Sequence, residues 1–340
     1  MKAKLLLFVL CIVAFAIIGC SPSSSKTGKI RIGFAMDALK QERWEKDRDL
    51  FLARAKELGA EVLIQTADGS DDAQMRQVES LLTQGIDVLV IVPHNAEVAG
   101  AMVEMARRQN VPVISYDRLV KNSEPDLYVS FDNERVGELQ AQYLFERAPK
   151  GNYVLIGGAP TDNNSHLLRK GQMKILQAAI DRGDIKVVAD QWAREWLAEE
   201  ALKHAENALT QNDNKVVAMV VSNDGTAGGV IKALEAQGLV GKVLVSGQDA
   251  ELAALQRIVS GSQTMTVYKP ILRLAPAAVE AAVALAKREK LSTTRVVNNG
   301  RIDVPSILIE PIPVDKNNIE ETVVKDGFQK RENIFRERKP

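Results

Sequence analysis

Short apolar runs of strand length alternate with amphipathic runs of helix length along most of the chain. This alternation restricts the possible folds more than any other feature. Lys29–Ala35 reads as a strand, and Trp44–Leu58 as a helix stopped by Gly59. Glu61–Gln65 is the next strand. Asp71–Gln84 is the next helix, with Met75, Val78, Leu81 and Leu82 on one face. Asp87–Val92 is almost wholly apolar, the mark of a central strand covered on both sides. Helix Ala96–Gln109 and strand Val111–Tyr116 follow. A β-α-β-α-β-α-β order implies a mostly parallel sheet with helices on both faces, because parallel neighbours need crossover connections.

The alternation then restarts. Strands are expected at Tyr128–Ser130, within Gly151–Gly157, and at Ile185–Ala189, Val216–Val221, Val243–Gly247 and Gln263–Val267. Between them lie helices at Asn133–Phe145, Ser165–Ala179, Glu195–Leu209, Gly225–Gln237 and Ala250–Val259. Two α/β units of similar make-up thus follow one another, with no repeat at the level of residues. Pro270–Glu289 is a further helix, Arg295–Val297 and Ser306–Ile309 are late strands, and Arg331–Pro340 reads as a frayed tail. A chain of 340 residues has room for two such cores.

The N-terminus departs from this pattern. Met1-Lys2-Ala3-Lys4 is a positive start, and Leu5–Ile18 has no charge. The run is short for a membrane span and reads as a signal peptide over residues 1–19. Its end, Ile17-Ile18-Gly19-Cys20, resembles the lipobox of bacterial lipoproteins, in which the cysteine is acylated and the peptide is cut before it. Residues 20–28 form a polar, Ser-rich stretch suited to a tether. The alternative is ordinary secretory cleavage near Ser21. The other cysteine, Cys11, lies in the part removed, so no disulfide is expected.

Lys+Arg and Asp+Glu are both 44, leaving no surplus of cations for nucleic-acid phosphates. Open α/β sheets bind ligands beyond the carboxyl ends of their strands. Collected there are Met36–Trp44, Pro93-His94-Asn95, Asp117 and Arg118, Pro160–Asn164, Trp192 and Trp196, Ser222-Asn223-Asp224, Gln248 and Asp249, and Tyr268 and Lys269. Carboxylates accept hydrogen bonds, Arg and Lys donate them, and Asn does both. A sugar ring also has an apolar C–H face that stacks on an aromatic ring. All three tryptophans fall in these loops. Together the set describes a jaw around a small polyol. Duller readings exist for each residue: Asp117–Arg118 as a local ion pair, Asp162–Asn164 as turn formers or a helix cap, and either Trp192 or Trp196 as a packing residue. His94, His166 and His204 are scattered and read as structural or surface residues, and no spacing suggests a metal or another cofactor. A Gly-rich phosphate loop, a dinucleotide GxGxxG and a nucleophile elbow are all missing, and nothing marks a matched acid and nucleophile. The expectation is therefore a binding protein and not an enzyme. Thr226-Ala227-Gly228-Gly229 reads as tight helix packing.

At this point the chain resembles the sugar-binding members of the type I periplasmic binding proteins, those for D-xylose above all. The resemblance runs from Lys29 to Gln329. It is carried by Gln41–Asp49, Tyr116–Arg118, Ser130–Glu134, Val136–Ala141, Thr161–Asn164, Ala189–Trp192, Ser222–Asp224, Thr226–Gly229, Ser246–Ala250 and Gln263–Pro270. It implies two α/β domains joined by three crossings of the chain, closing on a sugar between them. The first would be residues 29–130 plus 268–295, the second 131–267 plus 296–325, with 326–340 a flexible tail. It implies D-xylose as ligand, held by Arg43, Asp117, Arg118, Asp162, Asn164, Asn223, Asp249 and Lys269, with Trp44 and Trp196 stacking. Ribose, glucose or galactose are the alternatives. It further implies a monomer that serves a membrane permease and its ATPase subunits, or presents the sugar to a membrane sensor. The lipobox and tether look like the version used by Gram-positive bacteria. A transcription regulator of the same fold would need an N-terminal helix-turn-helix in place of the leader.

Overall fold

The computed structural model describes residues 28–39, 41–293 and 295–335. The leader, Cys20 and the tether up to Thr27 lie outside the described residues.

Five strands and three helices open the fold: β1 (Arg31–Met36), α1 (Glu42–Glu57), β2 (Glu61–Thr66), α2 (Asp71–Thr83), β3 (Val88–Ile91), α3 (Ala99–Arg108), β4 (Val113–Tyr116) and β5 (Leu127–Phe131). The second unit contains α4 (Asn133–Phe145), β6 (Gly151–Gly157), α5 (Asn163–Asp181), β7 (Ile185–Trp192), α6 (Ala198–Gln211), β8 (Ala218–Val221), α7 (Asp224–Ala236), β9 (Leu244–Val245), α8 (Leu252–Ser260) and β10 (Thr266–Tyr268). Then come α9 (Ile271–Ala286), β11 (Arg295–Asn298), β12 (Asp303–Ile309), β13 (Ile312–Val314) and α10 (Arg331–Ile334).

The two main sheets repeat one topology. The first has the order β11-β12-β5-β4-β3-β1-β2 and the second β7-β6-β8-β9. All pairs are parallel except β11 with β12. In both, the strand order reverses beside the first strand of the unit, between β1 and β3 and between β6 and β8. Such a switch point splays the helices on either side and leaves a crevice at the carboxyl ends. A small antiparallel pair, β10 with β13, sits where the chain passes between units.

The late strands correct the expected division of the chain. Residues 296–309 join the first sheet and not the second: β12 runs parallel beside β5, with Ser306 opposite Tyr128 and Ile309 opposite Phe131. The reason is burial. Every residue of β5 is buried, so it needs a strand on each side, and Val304 packs with Tyr128 and Leu119 to cover it. The tail is also corrected over its described part. Phe328 and Ile334 are buried in the main core, and Asn333 O accepts from Gln256 Nε2 at 2.7 Å. Two apolar side chains suffice to dock a segment whose composition is otherwise polar. Among the described residues no helix is long and apolar enough to cross a membrane.

Helices α4 and α5 approach so closely that backbone meets backbone. A Cβ on Gly137 would collide with the Leu168 carbonyl, and one on Gly171 with the Glu134 carbonyl. Gly229 of α7 makes the same approach to Ala198 of α6, so Gly229 serves helix packing, whereas Gly228 faces only the Arg257 side chain at ordinary contact distance. Gly137→Ala is therefore expected to lower stability by about 1–3 kcal/mol or more. Denaturant unfolding checks this, and an unchanged midpoint would contradict the packing account.

Candidate functional site

The strand ends of the two units face each other across a cavity of ≈ 310 Å³. The ten residues that the family resemblance implies all line it: Arg43, Trp44, Asp117, Arg118, Asp162, Asn164, Trp196, Asn223, Asp249 and Lys269. Gln41 and Gln248 complete the lining. The cavity-lining charges balance, with Arg43, Arg118 and Lys269 against Asp117, Asp162 and Asp249. A cavity with matched charges suits a neutral ligand rich in hydrogen-bonding groups. A phosphorylated ligand would require a cationic surplus.

Arg43 follows β1, on the first turn of α1, and is buried. Its guanidinium is held by Asp47 one turn on, Nε and Nη2 each lying 2.9 Å from Asp47 Oδ2. Tyr116 Oη donates to the other oxygen of Asp47. Arg43 Nη2 also lies 2.9 Å from Asp117 Oδ2. Contacts made by Asp249 and Lys269 are longer: Arg43 Nη1 to Asp249 at 3.6 Å, Lys269 Nζ to Asp249 at 3.4 Å, and Lys269 Nζ to Asp117 at 3.9 Å. Direct charge-assisted bonds run at about 2.7–2.9 Å. Among the described residues, Gln248 Oε1, Asp249 Oδ1 and Asp117 Oδ2 are buried without a hydrogen bond. A hydroxyl accepts from a cation and donates to a carboxylate at once, so a polyol satisfies this set.

Two cleft residues carry a structural role and a cavity-facing one together. Asp162 caps α5 through Oδ1, which accepts from Asn164 N at 2.9 Å. Its Oδ2 faces the cleft, 2.9 Å from Arg118 Nε, and accepts from Trp196 Nε1 at 3.2 Å. Asn223 caps α7, its Oδ1 accepting from Thr226 N at 3.0 Å. That leaves its amide NH₂ as the group to present. The cap reading of Asp162 holds, and capping leaves both Asp162 and Asn223 lining the cavity.

Burial pushes the Asp117 carboxyl up, but Arg43, Lys269 and Arg118 together outweigh it and hold the group below the ordinary carboxylate value. Burial raises Asp162 despite Arg118. Burial alone would lower Arg43, yet Asp117, Asp47 and Asp249 raise it well above its ordinary value. Asp117, Asp249 and Trp196 all have positive φ, at 61°, 95° and 57°. Non-glycine residues held there store strain that the surroundings must maintain, and such strain gathers at functional sites.

The tryptophans separate. Trp44 is buried with the Arg43 guanidinium 4.4 Å from its ring centre, and it lines the cavity. Trp196 lines it from the second unit. Trp192 does not: it packs on Gly157, with the His166 ring 5.0 Å away. Trp196 rests on Gly158, where a Cβ would collide with its ring. Gly158→Ala is expected to displace Trp196 toward solvent, shifting tryptophan emission to the red. An unshifted spectrum would argue against that packing.

Reasoning from sequence passed over His94 as structural or surface. It stands with Asp37 and Glu195 at an adjoining cavity of ≈ 290 Å³ that shares Gln41, Arg118 and Trp196 with the first. Its position after β3 was the available signal.

A family model described as a periplasmic binding protein domain matches residues 32–290. The chain is 55% identical to the D-xylose-binding periplasmic protein of Haemophilus influenzae over 92% of this chain and 94% of that one. It is 50% identical to the protein of the same name from Escherichia coli, over 98% of this chain and 100% of the other. Among solved structures, a carbohydrate transporter solute-binding protein from Chloroflexus aurantiacus in complex with D-glucose superposes with a TM-score of 0.85. It is 32% identical and covers 90% of this chain and 98% of its own. Matched by that family model along most of its length and by relatives at half identity or more, the chain belongs to the periplasmic binding proteins.

Proposed function

We propose that this chain captures D-xylose outside the cytoplasm and delivers it to an ABC-type sugar importer through closure of its two units. It is a binding protein and not an enzyme. The observation that carries the reading is the charge-balanced cavity to which both units contribute. The ligand is read from the relatives named for D-xylose, at 55% and 50% identity.

Arg43, Asp117 and Arg118 supply donors and acceptors to the ring hydroxyls from the first unit, with Asp162, Asn164, Asn223 and Asp249 on the second unit's side and Lys269 where the chain passes between them. Trp44 and Trp196 cover the two faces of the pyranose, one from each unit. Stacking adds about 0.5–1.5 kcal/mol per ring beyond the area buried. It orients the ring without telling xylose from glucose. Glucose has a hydroxymethyl group where xylose has hydrogen, and forcing that group into a closed site costs about 1–3 kcal/mol. The loaded, closed form is the species offered to the permease and its ATPase subunits.

Calorimetric titration of the mature chain with D-xylose, D-glucose, D-ribose, L-arabinose and D-galactose tests the ligand. Tightest binding is expected for D-xylose, and tightest binding of any other sugar refutes it. Lys269→Ala is expected to cost about 2–5 kcal/mol of affinity, because it removes a buried cation from the sugar's surroundings and leaves Asp249 with only its longer contact to Arg43. Trp196→Ala should weaken xylose binding more than Trp192→Ala does.

The chain is further proposed to be anchored by lipid on Cys20, on the support of the charge-free run ending at Gly19-Cys20 and the polar tether behind it. One acyl chain binds membranes only marginally, so at least two are expected. Cys20→Ser should move the protein out of the membrane fraction; retention there would sink the anchor.

A further inference from the structure

The second cavity adjoins the first and is lined by charged groups from both units. Asp37 follows β1, His94 follows β3, and Glu195 belongs to a 3₁₀ turn (Arg194–Trp196) before α6. His94 Nδ1 lies 2.9 Å from Asp37 Oδ1, and His94 Nε2 lies 3.7 Å from Glu195 Oε1 across the cleft. The other oxygen of Asp37 accepts from Arg118 Nη1 at 2.7 Å. Arg118 Nε in turn lies 2.9 Å from Asp162 Oδ2, the atom that also accepts from Trp196 Nε1. The chain of contacts thus leaves Glu195, crosses to the first unit, returns through Arg118, and ends on the residue next to Glu195. Glu195 and Trp196 both have positive φ, at 53° and 57°, a backbone state that needs outside support. The main chain crosses at the same place, with Ala96 N donating to Thr161 O at 3.0 Å.

We propose that Asp37, His94 and Glu195 form a clasp across the cleft that positions Arg118 and Trp196 for the sugar and tightens when His94 carries a proton. The inference rests on the sugar-binding reading of the adjoining cavity. Its chemistry follows from the imidazole. A neutral ring that donates from Nδ1 to Asp37 turns a bare nitrogen toward the Glu195 carboxylate, lone pair against lone pair. A protonated ring donates to both carboxylates and joins the units.

The charged groups around His94 come from four other places in the fold. Asp37 is its hydrogen-bond partner, Arg118 sits behind Asp37, Glu195 faces it from the second unit, and Asp71 acts from the start of α2. Asp37 raises the His94 pKa most, burial opposes it, and Glu195 and Asp71 add to the rise. Asp37 is on the same unit as His94 and stays with it when the cleft opens. Glu195 is gained only on closure. The closed form therefore has the higher His94 pKa, and closing takes up part of a proton. Sugar affinity should rise as pH falls through the closed-form pKa and level off below the open-form value. Glu195 is partly exposed and 3.7 Å away, so the rise should be about two- to fivefold.

The test is calorimetric titration of D-xylose from about pH 8.5 to about pH 5.5 with the wild type, His94→Gln and Glu195→Gln. The expected result is a wild-type affinity that climbs toward acid, while each variant, whatever its own affinity, stays flat across the range. A second measurement follows the His94 imidazole by NMR, where bound sugar should raise its pKa in the wild type and not in Glu195→Gln. A flat wild-type profile, a slope kept by either variant, or a His94 pKa unmoved by sugar overturns the clasp and leaves the ligand assignment standing. Failure of the wild type to bind D-xylose at every pH overturns that assignment, and the clasp falls with it.

Discussion

Burial of the Arg43 guanidinium is the constraint around which the cleft is organised. An unpaired charge in a protein interior costs several kcal/mol, so Arg43 must be surrounded by carboxylates wherever it sits. Asp47 answers this within the same helix, one turn away. Asp117 answers it from the end of β4, and Asp249 from the opposite unit. The first two contacts are short, and the third, at 3.6 Å, is not. The guanidinium is therefore secured inside its own unit, and the partner across the cleft completes its surroundings without replacing them. An open form keeps Arg43 in place, which is what a site needs if it must meet its ligand before it closes.

The repeated topology explains how the remaining groups reach this point. Both sheets reverse their order beside their first strand, so both present a crevice on the same side. Asp117 is fixed there at positive φ by an unusually full set of bonds to its backbone. Its carbonyl accepts from Tyr128 Oη at 3.1 Å, from Ser130 Oγ and from Asn164 Nδ2 at 3.1 Å, and its N–H donates to Val129 O at 2.8 Å. Asn164 belongs to the second unit, so one of the restraints on a strained residue of the first is supplied on closure.

Much of the fold was legible because β-α alternation is local: each strand and helix announces itself within a dozen residues. Pairing between distant segments is not local. The assignment of 296–309 to the second unit failed because nothing inside that segment says that β5, some 170 residues earlier in the chain, needs an edge partner. The tryptophan ambiguity has a similar origin. Trp192 and Trp196 lie four apart across the expected start of a helix at Glu195. In the fold, α6 begins at Ala198, and Glu195 and Trp196 have left-handed backbones. Helical-face arithmetic does not apply to such a turn, so spacing alone had no answer. The rule about strand ends reached the loops that hold the ten cleft residues, because it needs only the order of elements, while the choice of those ten among their neighbours came from the family resemblance. His94 met the same rule and was passed over because its partners, Asp37 and Glu195, lie far from it in sequence.

The two carboxylates that share Arg43 differ in a way that separates support from binding. Burial raises Asp47 even though Arg43 and the Tyr116 hydroxyl oppose it, and its oxygens are already taken by those two residues. Asp117 is equally buried, but three cations face it and hold it below the ordinary carboxylate value, with Oδ2 left short of a hydrogen bond. A group whose pKa is lowered keeps its charge until the pH falls through that lowered value, so Asp117 presents an ionised acceptor throughout the neutral range. An ionised acceptor with a free lone pair attracts a hydroxyl donor, whereas a satisfied one does not. Asp47 therefore holds the tool in position, and Asp117 is the face of it that meets the ligand.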